Sequence, residues 1–184
     1  MTFSIPDNPT AKGLTITDNL VDGVVNTSDE EYPLGPVGVA IDSVILFNPL
    51  AAPGDDIADE QYTFDSYNAH PTERNLYHYH TASPGPLEVL EDLGLVTTSS
   101  LGAAEIELFG MMCDGTVILG CTELDGSLPD DSDFDAQNGH VHDITTADDT
   151  VYFTNRYHTH ICPTLFTDHL YTPEIQYYST CDVE

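Results

Sequence analysis

Six of the eight histidines in the chain fall into three His-x-His pairs: His78 with His80, His140 with His142, and His158 with His160. In an extended strand, residues i and i+2 leave the backbone on the same face. Each pair would therefore present two imidazoles together, and around the first pair Tyr77 and Tyr79 would point the other way. Neutral imidazole is a good ligand for copper, zinc, nickel or iron, and two on one strand face need one more donor to make a workable site. His70 and His140, each upstream of a Tyr-His-x-His segment, can supply it. The expected ligand sets are His70, His78 and His80, and His140, His158 and His160, with Asp65 or Asp135 as a carboxylate ligand or as the acceptor of a ring N–H. His142 and His169 have no counterparts in the first half and are secondary candidates. The plainer alternative is half-buried strand histidines, with the tyrosines as cross-strand packing. If imidazole holds the metal, it must be neutral, so release is expected as pH falls below about 6.

The histidines belong to a larger echo. The first half runs GVAIDSVILF, FDSYNAH (64–70) and YHYH (77–80); the second runs GMMCDGTVILG, FDAQNGH (134–140) and YHTH (157–160). The phenylalanine precedes the lone histidine by six residues both times. Two pseudo-repeated halves, about 36–85 and 108–165, are therefore expected within one domain spanning 1–184. The only arginines, Arg74 and Arg156, stand beside the two Tyr-His-x-His segments. They can pair with nearby carboxylates or hold an anion.

The elements needed to carry these residues are short and β-rich. Segments such as VGVAIDSVILF, AEIELFGMMC, TVILGC and TVYFTNRYHTHI alternate with Pro, Gly, Asn and Asp. Asp114-Gly115 between two apolar runs signals a hairpin. PLEVLEDLGLV has helical spacing, with Leu87, Leu90 and Leu93 or Leu95 on one face and Gly94 as the stop. The predicted class is mainly β, a single sandwich or barrel-like domain with long loops and at most one or two short helices.

Composition narrows the partners. There are 32 acidic residues against 3 basic ones, a formal net charge of -29. No cationic patch exists to displace counterions, which excludes nucleic acid and anionic lipid surfaces. No apolar run is long enough to span a membrane, so no membrane insertion is expected. The acids suit either solubility in a salt-rich setting or the gathering of cations. Asp125, Asp130, Asp131, Asp133 and Asp135 form an oxygen-rich stretch that could take calcium, although EF-hand spacing fails. Cys113, Cys121, Cys162 and Cys181 allow up to two disulfides in three pairings, which favours an oxidising compartment. Cys162, two residues after His160, is alternatively a ligand. MTFSIPDNPT carries no signal peptide, so export would require a mature form or another route, and a virion protein would begin in the same way.

FNPLAAPGDDIADEQYTFDSYNAH, YHYH, FGMMCDGTVILG, NGH and RYHTH together resemble the YHYH domain family over roughly residues 30–165. Tyr77-His78-Tyr79-His80 matches its signature, whereas the second copy has Thr159 in place of the second tyrosine. The resemblance implies a β-rich domain with a histidine-centred site, of a kind found in bacterial and viral proteins, many of them exported. The leading expectation is an extracellular metal-binding protein holding copper or zinc. The alternatives are a virion or filament subunit that self-assembles through bridging ions and terminal strands, and a metal-dependent hydrolase or oxidoreductase. Spacing defines no catalytic residues.

Overall fold

The computed structural model describes residues 1–16, 32, 34–51, 57–162 and 172–179. The Asp42-Ser43 turn joins strands β1 (Pro36–Ala40) and β2 (Ile45–Phe47). The predicted Asp114-Gly115 turn joins β5 (Leu108–Met112) and β6 (Val117–Leu119). In each turn the aspartate Oδ1 accepts the N–H two residues on, from Val44 at 3.0 Å and from Thr116 at 2.9 Å. The residue after it has positive φ, 72° at Ser43 and 98° at Gly115. The short strands β3 (Ala69–Pro71) and β4 (Tyr77–Tyr79) follow the first hairpin, and the longer β7 (Gly139–Thr145) and β8 (Val151–His160) follow the second.

The mainly β expectation holds, but the strands form one open sheet rather than a sandwich or a closed barrel. Its order is β3-β4-β2-β1-β5-β6-β8-β7. The physical reason is two parallel pairings, β2 with β4 and β6 with β8, which extend a single sheet outward on both sides instead of folding a second layer over it. At the centre β1 lies antiparallel to β5, with Gly38 opposite Met112 and Ala40 opposite Gly110. A Cβ at Gly38 would sit 2.6 Å from the Met111 carbonyl oxygen, so the two backbones need glycine to approach this closely.

Helix α1 (Ile57–Glu60) is a single turn that runs into a 3-10 turn, Gln61–Thr63. Helix α2 (Pro84–Asp92) is the predicted one, beginning three residues earlier than its apolar pattern suggests. The Ser83 side chain accepts the Gly85 N–H as N-cap, and Pro84 fills the first turn. Leu87 and Leu90 are buried in the main core with Val37, Leu46, Tyr79, Phe109 and Ile118. Leu93 and Leu95 are exposed, because the helix ends before that face is completed. All three residues of β6 are buried: Ile118 joins the main core, while Val117 and Leu119 join Ile144 in a smaller cluster on the opposite face. Tyr79 also faces the main core, so alternation places His78 and His80 on that opposite face.

The segment 172–178 folds back on its own chain. The Thr172 N–H donates to His80 O at 2.9 Å, and Gln137 Oε1 accepts the Ile175 N–H at 2.7 Å. Cys121 and Cys162 form a disulfide, which removes Cys162 as a ligand; Cys113 is also disulfide-bonded, and Cys181 lies outside the described residues. No helix among the described residues is long and apolar enough to cross a membrane.

Candidate metal centres

Strand pairing brings the histidines together two registers at a time. His70 on β3 stands opposite His78 on β4, and His140 on β7 stands opposite His158 on β8. Adding the i+2 residue of each inner strand completes two groups on one face of the sheet. In the first, His78 Nε2 lies 3.1 Å from His70 Nε2 and 2.9 Å from His80 Nε2. In the second, His140 Nε2 lies 2.8 Å from His158 Nε2 and 3.3 Å from His160 Nε2. His142, two residues along β7, joins the second group. His169 lies outside the described residues.

Hydrogen bonding decides which nitrogen carries the proton. His78 Nδ1 meets Leu76 O at 3.0 Å and His80 Nδ1 meets Asn48 O at 2.6 Å. A carbonyl can only accept, so both Nδ1 atoms donate and both Nε2 atoms carry lone pairs in the neutral ring. Thr63 donates its hydroxyl hydrogen to Glu60 O at 2.7 Å, so at 2.6 Å from His70 Nδ1 it accepts, and His70 has the same tautomer. In the second group His142, His158 and His160 donate from Nδ1 to Asp143 O, Arg156 O and Gly120 O at 2.8, 3.0 and 2.8 Å. In the first group three lone pairs therefore converge at separations where neutral rings repel, and in the second His142, His158 and His160 present lone pairs toward His140 and Glu123. A tetrahedral ion bound at about 2.0–2.1 Å needs its ligand nitrogens about 3.3 Å apart, and the observed spacings of 2.8–3.3 Å lie close to that.

Burial favours the neutral form of the His78, His80 and His158 rings. It pushes the His78 imidazole down to about 4 and the His80 imidazole down to about 3, outweighing the carbonyls that favour their charged forms. Phe47 stacks on His78 with ring centroids 3.9 Å apart, and Phe64 meets His70 edge-on at 4.9 Å. In the second group Phe134 lies tilted against His140 at 4.6 Å and edge-on to His160 at 5.3 Å.

The second group holds a residue that sequence reasoning missed. Glu123 Oε1 lies 3.1 Å from His142 Nε2, 3.2 Å from His140 Nε2 and 3.3 Å from His160 Nε2; Oε2 lies 3.3 Å from His158 Nε2. Burial acts to raise its carboxyl; donated hydrogen bonds from His140, His158 and His160 would hold it below the usual carboxylate range, but only with protons on the facing Nε2 atoms. In the neutral Nδ1–H rings of His158 and His160 the carboxylate faces lone pairs instead. Glu123 follows β6 and reaches the histidines because Leu119 on β6 pairs with His160 on β8. A signal existed: Glu123 is two residues after Cys121, and His160 is two before Cys162. That disulfide, had it been assigned, would have set them side by side.

Asp65 and Asp135 do not join the groups; both hold the turns that present His70 and His140. Asp135 Oδ1 accepts the N–H groups of Gln137 and Gly139, each at 2.9 Å, and Oδ2 accepts the Tyr157 hydroxyl at 2.9 Å. Asp65 does the same with Tyr67, Ala69 and Tyr77 at 2.8, 3.3 and 2.6 Å. The Asn of each Phe-Asp-x-x-Asn-small-His stretch takes positive φ, 57° at Asn68 and 51° at Asn138, which turns the chain into the histidine strand. Arg156 is no ligand partner either. Its Nε donates to Gly115 O at 3.1 Å and its guanidinium lies over Phe153 and Tyr178. Among the described residues the acids of 125–135 form no all-oxygen metal group.

Two groups of side chains that could hold a metal ion thus share one sheet face: His70, His78 and His80, and Glu123, His140, His142 and His158, with His160 adjoining. No curated protein and no solved structure matches the chain. A family model described as YHYH protein matches residues 2–130, which covers the whole first group but, in the second, only Glu123. By that match over more than half of its length, the chain belongs to the YHYH protein family.

Proposed function

We propose that the protein binds transition-metal ions at two centres, one per histidine group, and that it works outside the reducing cytosol. The observation that carries this reading is the convergence of Nε2 lone pairs from rings whose Nδ1 atoms are committed to fixed oxygen acceptors. That arrangement is stable only with a positive charge among the nitrogens, and rings held at about 4 and about 3 do not carry protons at neutral pH. Imidazole-rich donors favour zinc or copper over calcium or magnesium, which take oxygen. The carbonyl-anchored rings are the outer support expected of metal-ligating histidines. The Cys121–Cys162 disulfide supports an oxidising, extracellular setting. We further propose that the chain is one domain of two pseudo-repeats. Its strand order reads the same from either edge, and Ile45 opposite His78 recurs as Val117 opposite His158.

Metal analysis of untagged protein tests the reading. Wild type is expected to hold two equivalents of zinc or copper, and the His78→Ala/His80→Ala and His158→Ala/His160→Ala variants one each. Wild type that contains no transition metal, and takes up none on titration, would refute it.

A further inference from the structure

The second centre differs from the first in what lies in front of it. A cavity of about 260 Å³ opens over it, with Glu123, His140 and His142 in its wall. The rest of the lining includes the carboxylates Asp125, Asp130, Asp133 and Asp143, and no lysine or arginine. Two features tie this acid to the centre. Glu123 is only 7% exposed, and its Oε2 is buried without a hydrogen bond. The His142 side chain, by contrast, is 40% exposed, so the centre can be reached from the cavity. The acids are held in place. Asp125 Oδ1 accepts the Ser127 N–H at 2.8 Å, Asp130 Oδ1 the Ser132 N–H at 3.0 Å, and Asp143 Oδ1 the Asn155 N–H at 2.8 Å. The first centre has the rings of Phe47 and Phe64 against it, and among the described residues the carboxylate of Glu60 lies 3.7 Å from His70.

Building on the metal-binding reading, we propose that this cavity is the route by which hydrated divalent cations reach the second centre, its carboxylates speeding their capture. A concave site lined with charge of one sign concentrates counter-ions and raises capture rates about 10- to 1000-fold, an effect that fades as salt is added. The same field repels anions. The second centre is then the rapidly exchanging one of the two, and it takes cationic or neutral ligands in preference to anionic ones.

The chain contains no tryptophan, and Leu128 in the cavity wall is 72% exposed. Leu128→Trp therefore places a single reporter at the route, and its quenching by Co²⁺ in stopped flow records arrival at the second centre. The comparison protein adds Asp125→Asn, Asp130→Asn and Asp143→Asn, whose amide oxygens can keep the turn hydrogen bonds. At about 0.01 M salt the neutralised protein is expected to capture Co²⁺ at least about tenfold more slowly with an unchanged off-rate, and the difference should vanish near 1 M. Equal capture rates at low salt, or a loss confined to the off-rate, overturn the route. Equilibrium dialysis separates the two ideas: no bound Co²⁺ in the Leu128→Trp protein sinks the metal-binding reading itself, whereas bound Co²⁺ captured at a charge-independent rate sinks the route alone.

Discussion

Acidifying the metal-free protein should cost it stability through two buried rings. An unfolded histidine titrates near 6.5, while folded His78 and His80 titrate at about 4 and about 3 because burial opposes their charged forms. The unfolded chain therefore takes up these protons first. Stability is complete above pH 6.5 and is lost as pH falls toward the folded values. Between pH 7 and pH 5 linkage gives a loss of about 2 kcal/mol per ring, or about 4 kcal/mol for the two. Protonation of the 32 acidic residues relieves a net charge of -29 and acts in the opposite sense. The readout must therefore be the difference from a His78→Asn/His80→Asn variant, whose amides can still donate to Leu76 O and Asn48 O without titrating. Urea unfolding in the presence of a chelator, followed by the fluorescence of the ten tyrosines, supplies the two curves at each pH. Wild type should lose about 4 kcal/mol more than the variant. Equal losses would show that these rings are not held neutral by the fold. The same burial bears on metal release: protons compete for the His78 ring only near pH 4.

Glu123→Gln removes the charge that faces four imidazoles. It should weaken the second centre by at least about 100-fold, the upper end for losing a mere outer partner, and leave the first unchanged in chelator competition; equal weakening of both would count against separate centres. Cys162→Ser opens a link spanning 41 residues and should cost about 4 kcal/mol, seen as a lower denaturant midpoint. Gly139→Ala puts a Cβ into the Tyr157 ring. A loss of about 1–3 kcal/mol is expected, together with selective loss of metal from the second centre, because His140 is the next residue; retention of two equivalents would contradict this.

How much of this was legible depends on whether the information is local. The i+2 rule placed His78 with His80 and His158 with His160 because strand alternation needs no knowledge of the fold, and the hairpin at Asp114-Gly115 was readable for the same reason. The roles of Asp65 and Asp135 were misjudged because a carboxylate near a histidine in sequence can cap a turn as readily as bind an ion. Two backbone N–H groups and a tyrosine hydroxyl occupy Asp135. Glu123 was missed because its one signal, the Cys121–Cys162 link, could not be singled out among the possible cysteine pairings, and the parallel seam between β6 and β8 that brings its loop to the histidines leaves no local mark. The carbonyls of Asn48 and Gly120 that fix the ring tautomers have no side-chain signature at all. The open sheet was missed because short apolar runs carry no mark of parallel pairing.

The parallel seams have a consequence for how the protein reaches its native state. Each inner histidine strand is aligned on both sides: parallel to the hairpin strand, His78 against Ile45 and His158 against Val117, and antiparallel to the outer strand, His78 against His70 and His158 against His140. A slip of one residue would turn both histidines of that strand to the far side of the sheet and bring their tyrosine or threonine neighbours forward. A chain folded in the wrong alignment could then gather no third imidazole. On the proposed metal-binding reading, ion uptake would act as a proofreading step that holds the correctly aligned molecules and leaves the slipped ones free to unfold and try again.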